Sequence, residues 1–135
     1  MREMVNPLLD RISKRTANIG VVGLGYVGLP LGIAFAEAGY PVLGFDVDER
    51  KVRKIGEGES YIKHIDAVPL RKLTQDGRFK ATLDFSKIAD MDCVIICVPT
   101  PLTPAREPDM SYIVKTAESL SPYVRANQLF VLEST

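Results

Sequence analysis

This 135-residue sequence predicts a doubly wound α/β fold, a parallel sheet truncated to about five strands with helices on both faces. Three observations predict it. From Asn18 onward, short β-branched runs alternate with capped, helix-like segments. Cys93 to Val98 is an unbroken apolar run into Pro99, as expected of a strand buried on both faces. The first strand runs straight into a glycine-rich turn that opens a helix, Gly23-Leu24-Gly25-Tyr26-Val27-Gly28. The length suits one core, and 46% hydrophobic residues with a net charge of zero exclude a disordered chain. The same neutrality argues against a general nucleic-acid binder, which carries a cationic excess.

Met1 to Thr16 is expected to form an arm apart from the domain of residues 17–135. Asn6 is its N-cap, Pro7 its first helical residue, and Val5, Leu8, Leu9 and Ile12 form a narrow apolar stripe. With its scattered charges and no apolar h-region it is not expected to be a secretory leader, and the expected role of the stripe is to cover its own domain. Ile19 to Gly23 reads as a strand and Gly25 to Ala38 as a helix stopped by Gly39. The uncharged stretch from Ile19 to Ala36 is long enough to suggest a membrane span, but its glycines and Pro30 fit strand, turn and buried helix better.

Val42 to Asp46 is the second strand. Asp48 caps a helix ending at Gly56, with Val52 and Ile55 facing inward. Pro69 to Asp76 reads as a helix, Phe79 to Thr82 as a short strand, and Cys93 to Val98 as the buried one. Pro99 to Pro108 is a long irregular loop of the kind that often carries function. Ser111 to Ser121 is helical, with Ile113, Ala117 and Leu120 on one side, and Leu129 to Leu132 is the last strand, expected to leave an open edge.

The glycine run carries the chemistry. Gly23 permits a tight turn, Gly25 lets a diphosphate approach the backbone, Gly28 allows close helix–strand packing, and the helix start offers unpaired amides. Asp46, 18 residues after Gly28, ends the next strand, where a carboxylate accepts both hydroxyls of an adenosine ribose. A 2′-phosphate would meet it with like charge, so NAD is expected over NADP. Arg50, Lys51, Arg53 and Lys54 form a competing cationic group, read mainly as a solvated face. In open parallel sheets ligands bind beyond the carboxyl ends of the strands, and Gly23, Asp46, Val98 to Thr100 and Glu133 to Thr135 all fall there. Cys93 and Cys97 point to one face, and their apolar neighbours make them buried, inert thiols within a strand. No metal site is expected. His64 reads as a solvated residue, with contact to a sugar nucleotide as the alternative.

IGVVGLGYVGLP at Ile19 to Pro30, CVPTP at Cys97 to Pro101 and LEST at Leu132 to Thr135 together resemble the N-terminal domain of the UDP-glucose/GDP-mannose dehydrogenase family. The segment Ser60-Tyr61-Ile62-Lys63-His64-Ile65 is most similar to the branch that oxidises UDP-N-acetylhexosamines. The resemblance implies a Rossmann fold and oxidation of the C6 primary alcohol of a UDP-sugar to a carboxylate, reducing two NAD. In such enzymes a cysteine of a later domain holds the substrate as thiohemiacetal and thioester. Composition and cysteine usage make a soluble, cytoplasmic setting the default expectation, with no nucleic-acid or membrane partner, and the resemblance adds polysaccharide biosynthesis and a homo-oligomer for the full-length relative.

By the same resemblance, residues 23–28 hold the diphosphate, Asp46 and Lys51 meet the ribose, and Val98, Pro99 and Thr100 face the cofactor. Ser134 lies near the nicotinamide, and Thr135 positions a water or the reacting oxygen. The pattern of relatives runs on past Thr135 into a central helix and a substrate domain, so this chain is expected to bind NAD without turnover. Two alternatives remain at this stage. One is an NAD-sensing module using the Asn6–Arg15 helix as its partner surface. The other is the N-terminal half of a hydroxyacid dehydrogenase.

Overall fold

The structure is a computed structural model that describes residues 6–63 and 65–133. Five parallel strands, β1 (Ile19–Val22), β2 (Val42–Phe45), β3 (Phe79–Thr82), β4 (Cys93–Ile96) and β5 (Leu129–Leu132), lie in the order β3-β2-β1-β4-β5. The order reverses between β1 and β4, and their ends are level: Val22 sits beside Phe45 on one side and Ile96 on the other. Alternation across the pleat divides the core in two. Ile19, Val21, Cys93 and Ile95 face one layer with Leu29, Ile33, Ile55, Leu70 and Phe79, whereas Val22, Phe45 and Val94 face the other with Ile88, Met91 and Leu120.

Helix α1 (Pro7–Lys14) begins where expected, with the Asn6 carboxamide accepting the amides of Leu8 and Leu9 at 2.9 and 3.4 Å. Val5 of the expected stripe lies outside the described residues. Leu8 and Ile12 pack against the core, the Tyr40 hydroxyl donates to the Ile12 carbonyl at 2.8 Å, and Arg15 donates to the Ala38 carbonyl at 2.7 Å. Arg11 pairs with Asp92, which is 3% exposed and also accepts the Asn18 amide at 2.8 Å and Arg125 at 3.4 Å. The arm therefore covers its own domain through both apolar and charged contacts.

Helix α2 (Gly28–Glu37) starts three residues later than Gly25, because the Gly25 carbonyl is the first acceptor of its ladder, taking the Leu29 amide at 3.1 Å. Residues 25–27 stay a turn. Helix α3 (Glu49–Gly56) is capped by Asp48, with Ile55 buried and Val52 half-buried. Helix α4 (Ala67–Gln75) begins before Pro69 because Asp66 caps it, accepting the Val68 amide at 3.0 Å. Proline then falls on the third helical residue, whose amide has no intrahelical partner in any case.

A 3-10 turn at Phe85–Asp90, absent from the sequence reading, is capped by Asp84 and buries Ile88. It is too short to give a periodic signal. Strand β4 ends at Ile96, so Cys97 lies just past it rather than within it, although its amide continues the ladder to the Val22 carbonyl at 2.7 Å. Helix α5 (Ser111–Leu120) leads into a 3-10 turn at Ser121–Tyr123. Its inner side is Ile113, Thr116 and Leu120, and Ala117 is exposed, contrary to expectation. The stripe that fits the sheet follows i, i+3 and i+7 from Ile113, which takes in Thr116. The loop after β4 is closed by a bridge between Leu102 and Pro108. β5 pairs only with β4 among the described residues, and Leu129 and Leu132 are about half exposed at that edge.

Candidate dinucleotide site

At the carboxyl rim, where the strand order reverses, the chain encloses a cavity of about 640 Å³. Its floor is the glycine turn. Gly23 has φ +93°, and a Cβ there would stand 2.7 Å from the Cys97 carbonyl oxygen. That conformation turns the chain sharply out of β1, and the crowding draws the turn against the end of β4. A Cβ on Gly25, by contrast, would meet nothing within 4 Å, so the turn is open on the side facing the cavity. Among the described residues, no hydrogen bond engages the amides of Gly25, Tyr26 or Val27.

Asp46 is 8% exposed and binds the turn to β2. Its Oδ2 accepts the Leu24 amide at 2.8 Å and its Oδ1 the Asp48 amide at 2.9 Å, with Lys51 Nζ 3.9 Å from Oδ2. Each carboxylate oxygen keeps a second acceptor position for a ligand hydroxyl. Among the cations of α3, Arg50 is held by Asp48 at 3.5 Å and Lys54 by Glu59 at 3.9 Å, and Lys51 is the one that lines the cavity.

The structure brings Gly23, Leu24, Gly25, Tyr26, Val27, Asp46, Lys51, Val98 and Pro99 to this one cavity. Gly28 lies beneath it as packing, and Thr100 is half-buried just past Pro99 without lining the cavity. Ser134, Thr135 and His64 lie outside the described residues. Cys97 lines the cavity, half-buried, its thiol pushed up to about 11 by burial and then by the Glu133 charge. It is a poor nucleophile in that state.

Sequence reading missed the contribution of α5, whose Tyr112, Lys115, Thr116 and Ser119 line the cavity together with Val47 and, from the 3-10 turn, Phe85. The spacing of those α5 residues marks one helix face, but nothing local says that the face looks onto a site. Tyr61, named in the sequence only within the Ser60–Ile65 segment, has no place there among the site residues.

The residues fit a dinucleotide. The cavity volume suits a nucleotide, a glycine turn with free amides suits a diphosphate, and a buried carboxylate at the end of β2 suits a ribose. Fold and site together define a dinucleotide-binding domain of the Rossmann class. A family model described as "UDP-glucose/GDP-mannose dehydrogenase family, NAD binding domain" matches residues 17–135. The chain belongs to this family, and the matched part is its NAD-binding domain.

UDP-N-acetyl-D-mannosamine dehydrogenase of Escherichia coli (strain K12) is 37% identical over 119 residues, covering 88% of this chain and 28% of that protein. A ternary complex of GDP-mannose dehydrogenase from Pseudomonas aeruginosa superposes with a TM-score of 0.82 at 32% identity, covering 87% of this chain and 28% of the other. NDP-N-acetyl-D-galactosaminuronic acid dehydrogenase from Methanosarcina mazei Go1 gives a TM-score of 0.82 at 32% identity, covering 98% and 30%. The chain thus spans about 28% of the length of the curated relatives it matches. Family membership decides against the hydroxyacid dehydrogenase alternative. Among the described residues, no helix is long and apolar enough to cross a membrane.

Proposed function

We propose that this chain is the cofactor-binding part of an enzyme that oxidises the C6 primary alcohol of a UDP-sugar to a carboxylate, with a UDP-N-acetylhexosamine as the favoured substrate. The convergence of the glycine turn, Asp46 and Cys97–Pro99 on one cavity carries the reading of the site. The substrate class is supported by the relatives named UDP-N-acetyl-D-mannosamine dehydrogenase and by the segment Ser60–Ile65.

Residues 23–28 receive the diphosphate: the free amides of the turn donate to it, and the start of α2 adds a partial positive charge. Asp46 accepts the ribose hydroxyls through its remaining acceptor positions, and Lys51 stands beside it. Val98 and Pro99 line the path from the diphosphate toward the reacting end with Thr100 just beyond them, and the family resemblance assigns Ser134 to the nicotinamide and Thr135 to positioning a water or the reacting oxygen. NAD supplies hydride acceptance when bound, and the domain's own task is to hold and orient it. Oxidation also needs a substrate held against the nicotinamide in near-attack geometry, a task assigned to the remainder of the longer relatives.

The test is calorimetric titration of the 135-residue chain with NAD and NADP, followed by NADH absorbance with UDP-N-acetylhexosamine present. The expected result is NAD binding, weaker NADP binding and no turnover. Absence of NAD binding overturns the reading of the site, and turnover by this chain alone overturns the division of labour. The sensing alternative is disfavoured because α1, its proposed partner surface, uses Leu8, Ile12, Arg11 and Arg15 on its own domain.

A further inference from the structure

Tyr61 belongs to the link between α3 and α4, 37 residues from the glycine turn, yet its hydroxyl donates to the Leu24 carbonyl at 2.5 Å. The amide of the same residue, Leu24, donates to Asp46 at 2.8 Å. Leu24 is therefore held at both polar groups, the amide by the end of β2 and the carbonyl by the α3–α4 link. Its side chain is fully buried against Gly44, where a Cβ would come within 2.7 Å of a Leu24 methyl. The Leu24 carbonyl is four residues before Gly28, the position from which a helix ladder would draw its first bond. Tyr61 occupies it instead, and the ladder begins one residue later, at the Gly25 carbonyl. The amides of Gly25, Tyr26 and Val27 lie ahead of that first ladder bond and have no hydrogen-bond partner among the described residues.

Tyr61 itself is well fixed. Its ring packs partly buried against the core, Lys51 Nζ lies 5.9 Å from the ring centroid, and the next residue, Ile62, is buried and tied to the Ser60 hydroxyl. Burial, then the charges of Asp46 and Asp48, push the phenol above its ordinary value, so it remains a donor at physiological pH.

We propose that Tyr61 is a positioning residue for the cofactor: its hydroxyl fixes the Leu24 peptide so that the turn amides present themselves to the diphosphate. This rests on the cofactor reading above. Tyr61 does not line the cavity and acts through Leu24, so its effect should follow the diphosphate rather than the adenosine.

The test compares wild type with Tyr61→Phe, which removes the hydroxyl and keeps the ring, its packing and its contact with Lys51. NAD, ADP-ribose and adenosine are titrated by NMR. In Tyr61→Phe, NAD and ADP-ribose should weaken about fivefold, the factor corresponding to one neutral hydrogen bond, while adenosine stays within about twofold. Amide exchange gives a second readout: Leu24 should exchange faster in the variant while Val94 in β4 keeps its protection. Equal NAD affinity in both proteins, equal weakening of all three ligands, or equal acceleration at Val94 would each overturn the proposal. Failure of the wild type to bind NAD would instead remove the cofactor reading, and this inference with it.

Discussion

A methyl group placed on Gly28 would lie 1.7 Å from the carbonyl oxygen of Gly23. The start of α2 and the exit of β1 thus touch backbone to backbone, and no side-chain adjustment can relieve a larger residue there. Gly25, two residues after Gly23, has open space instead. Gly28→Ala should therefore cost roughly 3 kcal/mol or more, read as a large fall in the thermal midpoint or loss of the folded protein. Gly25→Ala should change stability by less than about 0.5 kcal/mol but weaken NAD roughly tenfold, because its methyl fills the approach to the turn. Calorimetry and thermal denaturation on the same two variants separate packing from ligand approach.

Asp46→Asn should affect both stability and cofactor choice. The carboxylate accepts two backbone amides, and a carboxamide can accept only one while turning a donor toward the other. The expected loss is about 2 kcal/mol of stability, with NAD affinity falling at least tenfold and the preference over NADP shrinking. An unchanged NAD-to-NADP ratio would remove Asp46 from the ribose site.

The Asp92 cluster sets an acid limit. Burial raises the carboxyl's pKa, but the Asn18 amide and the guanidinium groups of Arg11 and Arg125 outweigh it and hold the value below the usual 3.8. Because the folded value is depressed, the stabilisation is complete above the unfolded value and disappears as pH falls through the folded one. Asp92→Asn should lower stability by about 2 kcal/mol at neutral pH, and the gap to wild type should close below about pH 4 in denaturant titrations. A gap that persists at lower pH would show that the loss comes from packing.

Cys97 should resist alkylation although it lines the cavity. With its thiol raised to about 11, the thiolate is scarce at neutral pH. Iodoacetamide should modify it roughly a hundredfold more slowly than a free cysteine, and bound NAD should slow it further. Rapid labelling at pH 7.5, detected by mass spectrometry, would contradict the burial described here.

The order of elements was legible in the sequence because its signals act over a few residues. Asn6 and Asp48 cap the helices they precede, β3 and β5 lie within the runs that marked them, and the glycine turn follows β1 directly. Boundaries were less legible where a cap outranked a proline, as Asp66 does over Pro69, or where the turn delayed α2. Near the site, Gly23 to Val27, Asp46, Lys51, Val98 and Pro99 all reached the cavity, while Thr100 stopped short of it. The α5 face was invisible, because hydroxyls and a lysine at helical spacing look the same on a solvated surface as on the wall of a site.

By itself the sequence determined the alternation of strand and helix, the glycine turn and the acidic residue at the end of β2, since propensity, capping and periodicity are local properties of the chain. Only the tertiary structure decided that Tyr61 holds Leu24 across 37 positions, that Arg11 pairs with Asp92 across 81, and that α5 lines the cavity. Those relations depend on which strand ends the parallel sheet sets side by side, and no short stretch of residues carries that information.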